Sequence, residues 1–460
     1  MPLVFLHGVN TRDTDEGYHI AVAARRQLFR QLVVPTVKAH GHQDFDVRDD
    51  IYWGNLGVAF AWRLQAIPVA AQAERLGPVS DDASNPDLLR LMARSPATEP
   101  LSPARRVERL GAPAPGPLVA ASRQDPGALV RAVFAREADR FAPTHPPFPD
   151  GKALPAGQVE KAEEQGTQLA FLLIAVDQLA RDVQANPGLI AGDTDAQVVK
   201  KIRDEVEERY KRLVEPTLTV AERTGPEKLG HFTDAIDWTR GLIERTASAA
   251  KKLADDTIDA LSGAKDQAER AGSLWLLEHF RRDLSSKGLR FLGDVFVYLQ
   301  HGRTANPSIS DRVKKGILDA APHTGADGRR EPFVVVTHSF GSEILYDLLT
   351  SGELDEVTID LWVTVGAQTS LFAEMRLFAK SPTDIPSNTV KHLGKPKNVR
   401  KWINFYDLAD VLSYLHAPVF GQEVVDIKVS EGANLTNAHG HYFVTPTFYD
   451  RIARELEEVL

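Results

Sequence analysis

Short apolar runs that stop at polar turns recur at the two ends of the chain, and helical spacing dominates between them. Leu3 to Leu6 is an apolar run ended by "HGVN", the pattern of a buried strand. "HIAVAARRQLFRQLV" then has helical spacing, and "FDVRDDIYWGN" reads as a second strand. Strand, helix, strand predicts a parallel α/β sheet. Towards the other end, "GLRFLGDVFVYLQ" and "RVKKGILDAA" read as helices. "PFVVVTHS" reads as a strand and "GSEILYDLLTS" as a helix. "TIDLWVTVGA", "KWINFYDLAD" and "EVVDIKVS" are further strands, and "TPTFYDRIARELEEVL" is a closing helix.

The middle is different. From about Leu56 to Leu154, "GAPAPGPLVAASRQDPG" and "FAPTHPPFPDGKALPAG" are rich in Pro, Ala and Gly, which predicts turns and irregular structure. Residues 157–283 are mostly helical in pattern, with no convincing repeat. Residues 1–56 are too few to bury a core alone. The expected organisation is therefore an α/β core from 1–56 and 284–460, interrupted by a Pro/Ala-rich and helical insertion over 57–283.

Composition narrows the chemistry. The chain has 460 residues, 43% hydrophobic and 25% charged, as in ordinary globular proteins. A formal net charge of −9 argues against a nucleic-acid partner, whose phosphates need clustered cations. There is no cysteine, which excludes a thiolate nucleophile, a disulfide and a Cys-ligated metal. The N-terminus lacks a signal-peptide pattern. "LAFLLIAV" (Leu169 to Val176) is far shorter than the roughly 18 apolar residues of a membrane span, so a cytoplasmic location is expected. No metal-ligand spacing and no phosphate loop is present, and no cofactor is expected.

The candidate chemistry centres on "THSFG", Thr337 to Gly341, where the run "FVVV" delivers the chain to Ser339 and a helical pattern follows at once. A serine on a tight strand-to-helix turn exposes its hydroxyl, with the positive end of the next helix beside it. Gly341 supplies a small residue near the turn, while Thr337 stands where glycine is more usual. The bland alternative is a helix N-cap serine. Two other features favour catalysis. "HGVN" can aim the backbone N–H of Gly8 or Val9 at a developing oxyanion, with that of Phe340 as second donor. After Ser339 come acids at Asp407 and Asp410, then His439, so that serine, acid and histidine follow in chain order.

On "HGVN", "YWGN", "FLGDVFVYL", "VVVTHSFGSEILYD", "WINFYDLADVLS" and "NAHGHYF" the chain resembles the lipase/esterase-like serine hydrolases of the α/β-hydrolase superfamily. The resemblance covers the first 60 or so and last 170 or so residues. It implies Ser339 as nucleophile, His439 (in "A-H-x-x-Y") as base and Asp410 as acid. Gly8, Val9 and Phe340 then match the oxyanion region, and the insertion matches a lid. Asp407 competes with Asp410, and His441 with His439. His338 is expected to point away from the nucleophile. Asp294 reads as a buried carboxylate with a structural partner, Trp53 as core or pocket wall, and Asn10 and Arg12 as residues of the mouth.

The expected activity is cleavage of a carboxylic ester, of a lipid or phospholipid among others. Other acyl substrates, such as thioesters or amides, stay open. So does a catalytically silent scaffold whose insertion binds a protein partner. "LAFLLIAV" and "SLWLLEHF" could line or cover an acyl pocket, or pack only among helices. Peripheral contact with a membrane surface is the remaining option, motivated by the resemblance.

Overall fold

The computed structural model describes residues 2–9, 11–42, 46–48, 51–59, 116–141, 153–221, 226–263, 291–322, 330–387, 389–429 and 438–460. The chain divides into two compact units, one from Met1–Ile67, Pro143–Pro155 and Arg282–Leu460, the other from Pro68–Ala142 and Ala156–Arg281.

The first unit is an α/β sheet domain. Strand β1 (Pro2–Leu6) leads to α1 (Glu16–Leu28), whose first turn is capped by Asp15 accepting the Gly17 N–H at 3.0 Å. A π-helical turn (Phe29–Val33) and α2 (Val34–Ala39) follow, then β2 (Asp46–Val47). Among the described residues, the strand expected over "FDVRDDIYWGN" amounts to these two residues and an isolated bridge of Ile51 to Leu6.

The second unit is helical: α3 (Pro117–Gln124), α4 (Pro126–Phe141), α5 (Ala156–Ala185), α6 (Asp195–Ala221) and α7 (Pro226–Gly263). Here the expectation of irregular structure fails over 117–141. Both prolines stand at helix starts, where the missing N–H costs no intrahelical bond and the fixed φ suits the helix. Asp195 accepts the Val119 N–H at 2.8 Å and Asp125 that of Ala128 at 2.9 Å, so carboxylates satisfy the leading N–H groups of both helices. Leu169 to Val176 are all buried in α5, which packs on α4, α6 and α7. That apolar run is spent in the helical unit's own core. "SLWLLEHF" lies outside the described residues.

The sheet domain then resumes with helical residues 291–297, a π turn (Tyr298–Gly302) and α8 (Ile309–Ala320). Next come β3 (Val334–His338), α9 (Gly341–Ser351), β4 (Ile359–Val365) and α10 (Thr369–Glu374). The chain closes with β5 (Val399–Tyr406), α11 (Ala417–Phe420), β6 (Val424–Lys428), α12 (Ala438–His441) and α13 (Pro446–Glu457). All strands are parallel, in the order β2-β1-β3-β4-β5-β6.

Alternate residues serve opposite faces, as a pleated strand requires. Val4, Leu6, Val335, Trp362 and Trp402 share a core with Val313 and Ile317 of α8 and Ile344 and Leu348 of α9. On the other face Phe405 meets Phe448 of α13 edge-on at 4.9 Å, and Phe5 meets Phe443 at 5.2 Å. Helices on both faces make the central strands apolar throughout, which is why they read so clearly. Among the described residues, no helix is long and apolar enough to cross a membrane.

Candidate functional site

In a parallel sheet every strand ends at the same edge. β1 leaves towards β2, and β3 leaves in the opposite direction towards β4, although β1 and β3 are neighbours. In open α/β sheets such a reversal, beyond the carboxyl ends of the two strands, is the usual ligand position. The residues that follow these two strands are His7–Gly8–Val9 and Ser339–Phe340.

Ser339 sits at φ +49°, in the left-handed region that costs a non-glycine residue roughly 1–2 kcal/mol. Strain of this kind persists where its surroundings over-determine it. The Ser339 N–H donates to Val365 O at 2.9 Å, which pins the turn to the end of β4. The serine is not the side-chain cap of α9: among the described residues its buried Oγ has no hydrogen-bond partner. Close approach is met by glycines. A Cβ on Gly341 would lie 2.6 Å from His7 O, and one on Gly8 would lie 2.6 Å from Ser339 Cβ. Thr337, where glycine was the usual residue, does not crowd the turn. Its Oγ1 lies 2.8 Å from Ser342 Oγ and accepts the Trp362 indole N–H at 3.0 Å.

The β1 end is fixed by a histidine that sequence reasoning did not single out. Trp53 donates its backbone N–H to His7 Nε2 at 3.0 Å, so the proton of the neutral ring is on Nδ1. Nδ1 then donates to Gly8 O at 2.7 Å, and the ring stacks on Trp53 at 5.2 Å. A planar trans peptide sets C=O and N–H on opposite sides, so the Val9 N–H faces away from the His7 ring. Trp53 is thus the buried support of the Gly8 turn. Phe340 opens α9, whose leading N–H groups have no intrahelical acceptor. Its own ring is buried edge-on to Tyr298 and Phe372.

Asp410 and His439 are brought together across 29 residues of chain. His439 Nδ1 lies 3.0 Å from Asp410 Oδ2 and 3.1 Å from Oδ1. A carboxylate only accepts, so Nδ1 carries a proton, and in the neutral form of the ring the lone pair is then on Nε2. Asp410 also accepts the Tyr442 hydroxyl and the Leu412 N–H, each at 3.0 Å. Burial works to raise the Asp410 pKa, but the His439 charge and these donors outweigh it and hold the carboxyl below its usual range. Tyr442, desolvated beside that carboxylate, is held far up and keeps its proton. Asp407 instead accepts the Ala409 N–H at 2.8 Å as a turn cap. His441 has its carbonyl held by Thr445 Oγ1 at 3.1 Å.

Ser339 and His439 flank the same tip. Gly366 follows β4 at φ +56°, and a Cβ there would lie 2.9 Å from Asp410 Oδ2 and 3.3 Å from His439 Cε1. The residue before it, Val365, holds the Ser339 N–H. The structure therefore gathers the serine turn, the imidazole, the carboxylate and the Gly8 turn at one edge, with no hydrogen bond from the serine to the imidazole.

Further residues belong to this edge, of which only Asp294 was expected to be structural. Asp294, fully buried, receives Arg12 at 3.0 Å and the Val58 N–H at 2.6 Å, so Arg12 holds a loop rather than the rim of a mouth. Asn10 lies outside the described residues. Glu343 of α9 accepts the Gln368 N–H at 2.8 Å and the Thr369 hydroxyl at 3.0 Å, and burial pushes its carboxyl up to about 8. Gln368 in turn donates to Gly366 O and to Leu412 O, tying the β4 tip to the acid loop. His338 turns towards His439, not simply away from the site: its Nε2 lies 2.8 Å from His439 O. Glu343 lies within "VVVTHSFGSEILYD" without a role assigned to it there, and Gln368 belongs to no readable motif.

Among the described residues no group of three or more His, Asp or Glu side chains is placed to hold a metal ion. Comparison with family models, with curated proteins and with solved structures gave no match to this chain.

Proposed function

We propose that this protein is a metal-independent serine hydrolase of carboxylic esters, with an α/β-hydrolase-like core and the helical unit as its insertion. One observation carries the reading. An imidazole anchored through Nδ1 to a buried carboxylate stands at the sheet edge beside a strained serine whose Oγ is unpartnered.

In this reading Ser339 Oγ attacks the ester carbonyl carbon and His439 Nε2 takes the hydroxyl proton. The negative charge on the former carbonyl oxygen is received by backbone N–H groups of Phe340 and of Val9 or Gly8. Collapse expels the alcohol, which takes the proton from His439, and leaves an acyl-serine. Water, deprotonated by His439, then releases the acid. Asp410 holds the tautomer and stabilises the imidazolium without taking its proton. Hydrogen bonds between nucleophile and base are often long or absent before substrate binds and tighten once it does.

An apolar acyl group is favoured by Leu408 and Val411, on the same loop as Asp410 and 74% and 71% exposed. A catalytically silent scaffold is the second reading, favoured by the 1% exposure of Ser339. A fluorophosphonate probe separates them. The enzyme reading requires labelling of the wild type and none of Ser339→Ala; a wild type that never labels and cleaves no p-nitrophenyl ester of any chain length overturns it.

A further inference from the structure

We infer that His338 is a positioning residue for His439, a backbone clamp that seats the base beside the nucleophile. The inference rests on the hydrolase reading for its catalytic consequence, but the clamp itself is a statement about geometry.

Three contacts define it. His338 Nε2 meets the backbone carbonyl of His439 at 2.8 Å. A carbonyl can only accept, so Nε2 carries the proton. The two imidazole rings lie 4.7 Å apart, and on its other side His338 meets Phe443 edge-on at 5.0 Å. The ring is thus held between His439 and a residue of the same segment that Tyr442 ties to Asp410.

Asp410 and His338 restrain His439 at different points. Asp410 holds the ring through Nδ1, which sets its tautomer and tilt. His338 holds the main chain, which sets where the ring is rooted. The donor belongs to the residue immediately before Ser339, so base and nucleophile are linked by one peptide unit and one hydrogen bond. A base displaced by about 1 Å can cost on the order of a hundredfold in rate.

The clamp must also be uncharged, because His439 becomes cationic during turnover. The groups facing His338 are His439, Asp410 and Arg25, and desolvation with the repulsion of His439 keeps its pKa near 3. It therefore offers an N–H without placing a second cation against the imidazolium.

The test uses the full chain labelled with 15N-histidine. His338→Phe keeps a flat ring between His439 and Phe443 and removes the donor. His338→Gln restores an N–H near the Nε2 position, while His338→Asn, one carbon shorter, does not reach. The expected result is a kcat lowered 10- to 100-fold in the Phe and Asn variants on a p-nitrophenyl ester, with KM within about twofold and most of the loss recovered in Gln. The downfield Nδ1 proton of His439 should exchange with solvent at least tenfold faster in Phe and Asn, and near the wild-type rate in Gln. If Phe does not fold, the comparison of Gln with Asn decides. Wild-type kcat and wild-type proton exchange in Asn and Phe would overturn the clamp. A wild type without turnover defeats the hydrolase reading instead, and proton exchange still decides whether the clamp exists.

Discussion

Replacing Asp410 by Asn is the sharpest probe of the site, because it changes hydrogen-bond polarity with almost no change in shape. The carboxylate is 3% exposed and accepts from His439 Nδ1, the Tyr442 hydroxyl and the Leu412 N–H, each at 3.0 Å. An amide offers one accepting oxygen and one donating NH2 where the carboxylate offered two acceptors. If the oxygen takes the Oδ1 place and keeps the Leu412 N–H, the NH2 takes the Oδ2 place beside His439 Nδ1 and drives the imidazole proton to Nε2, the atom that must accept from Ser339. The same inversion in a serine triad lowers kcat about 10,000-fold, or about 5 kcal/mol of barrier at roughly 1.4 kcal/mol per decade. If the amide turns over, a buried donor loses its acceptor instead, at about 1–3 kcal/mol of stability. Asp407→Asn is the control. Its carboxylate caps the turn at Ala409, and an amide oxygen can serve the same N–H, so kcat should stay within about threefold. Steady-state kcat on a p-nitrophenyl ester, corrected by active-site titration and read alongside urea unfolding, supplies both numbers. Asp410→Asn retaining more than a tenth of wild-type kcat, or Asp407→Asn losing as much, would refute the assignment.

Three other perturbations test the supporting structure. Gly8→Ala puts a Cβ 2.6 Å from Ser339 Cβ and 2.9 Å from His338 O, neither the end of a flexible side chain; it should cost about 1–3 kcal/mol and slow probe labelling, and unchanged Tm and labelling would contradict the packing of β1 on β3. Arg12→Ala removes a cation from fully buried Asp294 and should cost towards the lower end of about 3–5 kcal/mol, since Asp294 keeps the Val58 N–H; urea unfolding checks it, with Arg12→Ala/Asp294→Asn expected to recover stability and a single-variant loss under about 1 kcal/mol counting against a buried pair. Glu343 is held up at about 8 by burial, so the folded chain keeps a proton that the unfolded chain releases near pH 4.5; this contribution to stability is complete below that pH and is lost as pH rises towards 8. The stability of Glu343→Gln relative to wild type should therefore rise between pH 5 and 8, and a flat difference would show that the carboxyl titrates normally.

Much of this was legible before folding. Strands β3 to β5 sit between two layers of helices, so burial on both faces gives unbroken apolar runs such as "FVVV", and the polar residues that end them mark the edge where the candidate site gathers. The short-range signals, Ser339 before a helical pattern and Gly8 after β1, are local because a turn's steric demands fall on the residues that make it. Where local signals misled, the reason was equally physical. Proline reads as a breaker in the middle of a helix, yet Pro117 and Pro126 begin α3 and α4, with the neighbouring N–H groups answered by Asp195 and Asp125. Which acid meets His439 lay beyond the sequence. Asp407 and Asp410 are chemically the same, and only the path of the loop turns one onto a backbone N–H and the other onto an imidazole. The same holds for His338, His7, Glu343 and Gln368. A side chain's partner across tens or hundreds of residues is a property of the packed sheet edge, and composition and periodicity carry no trace of it.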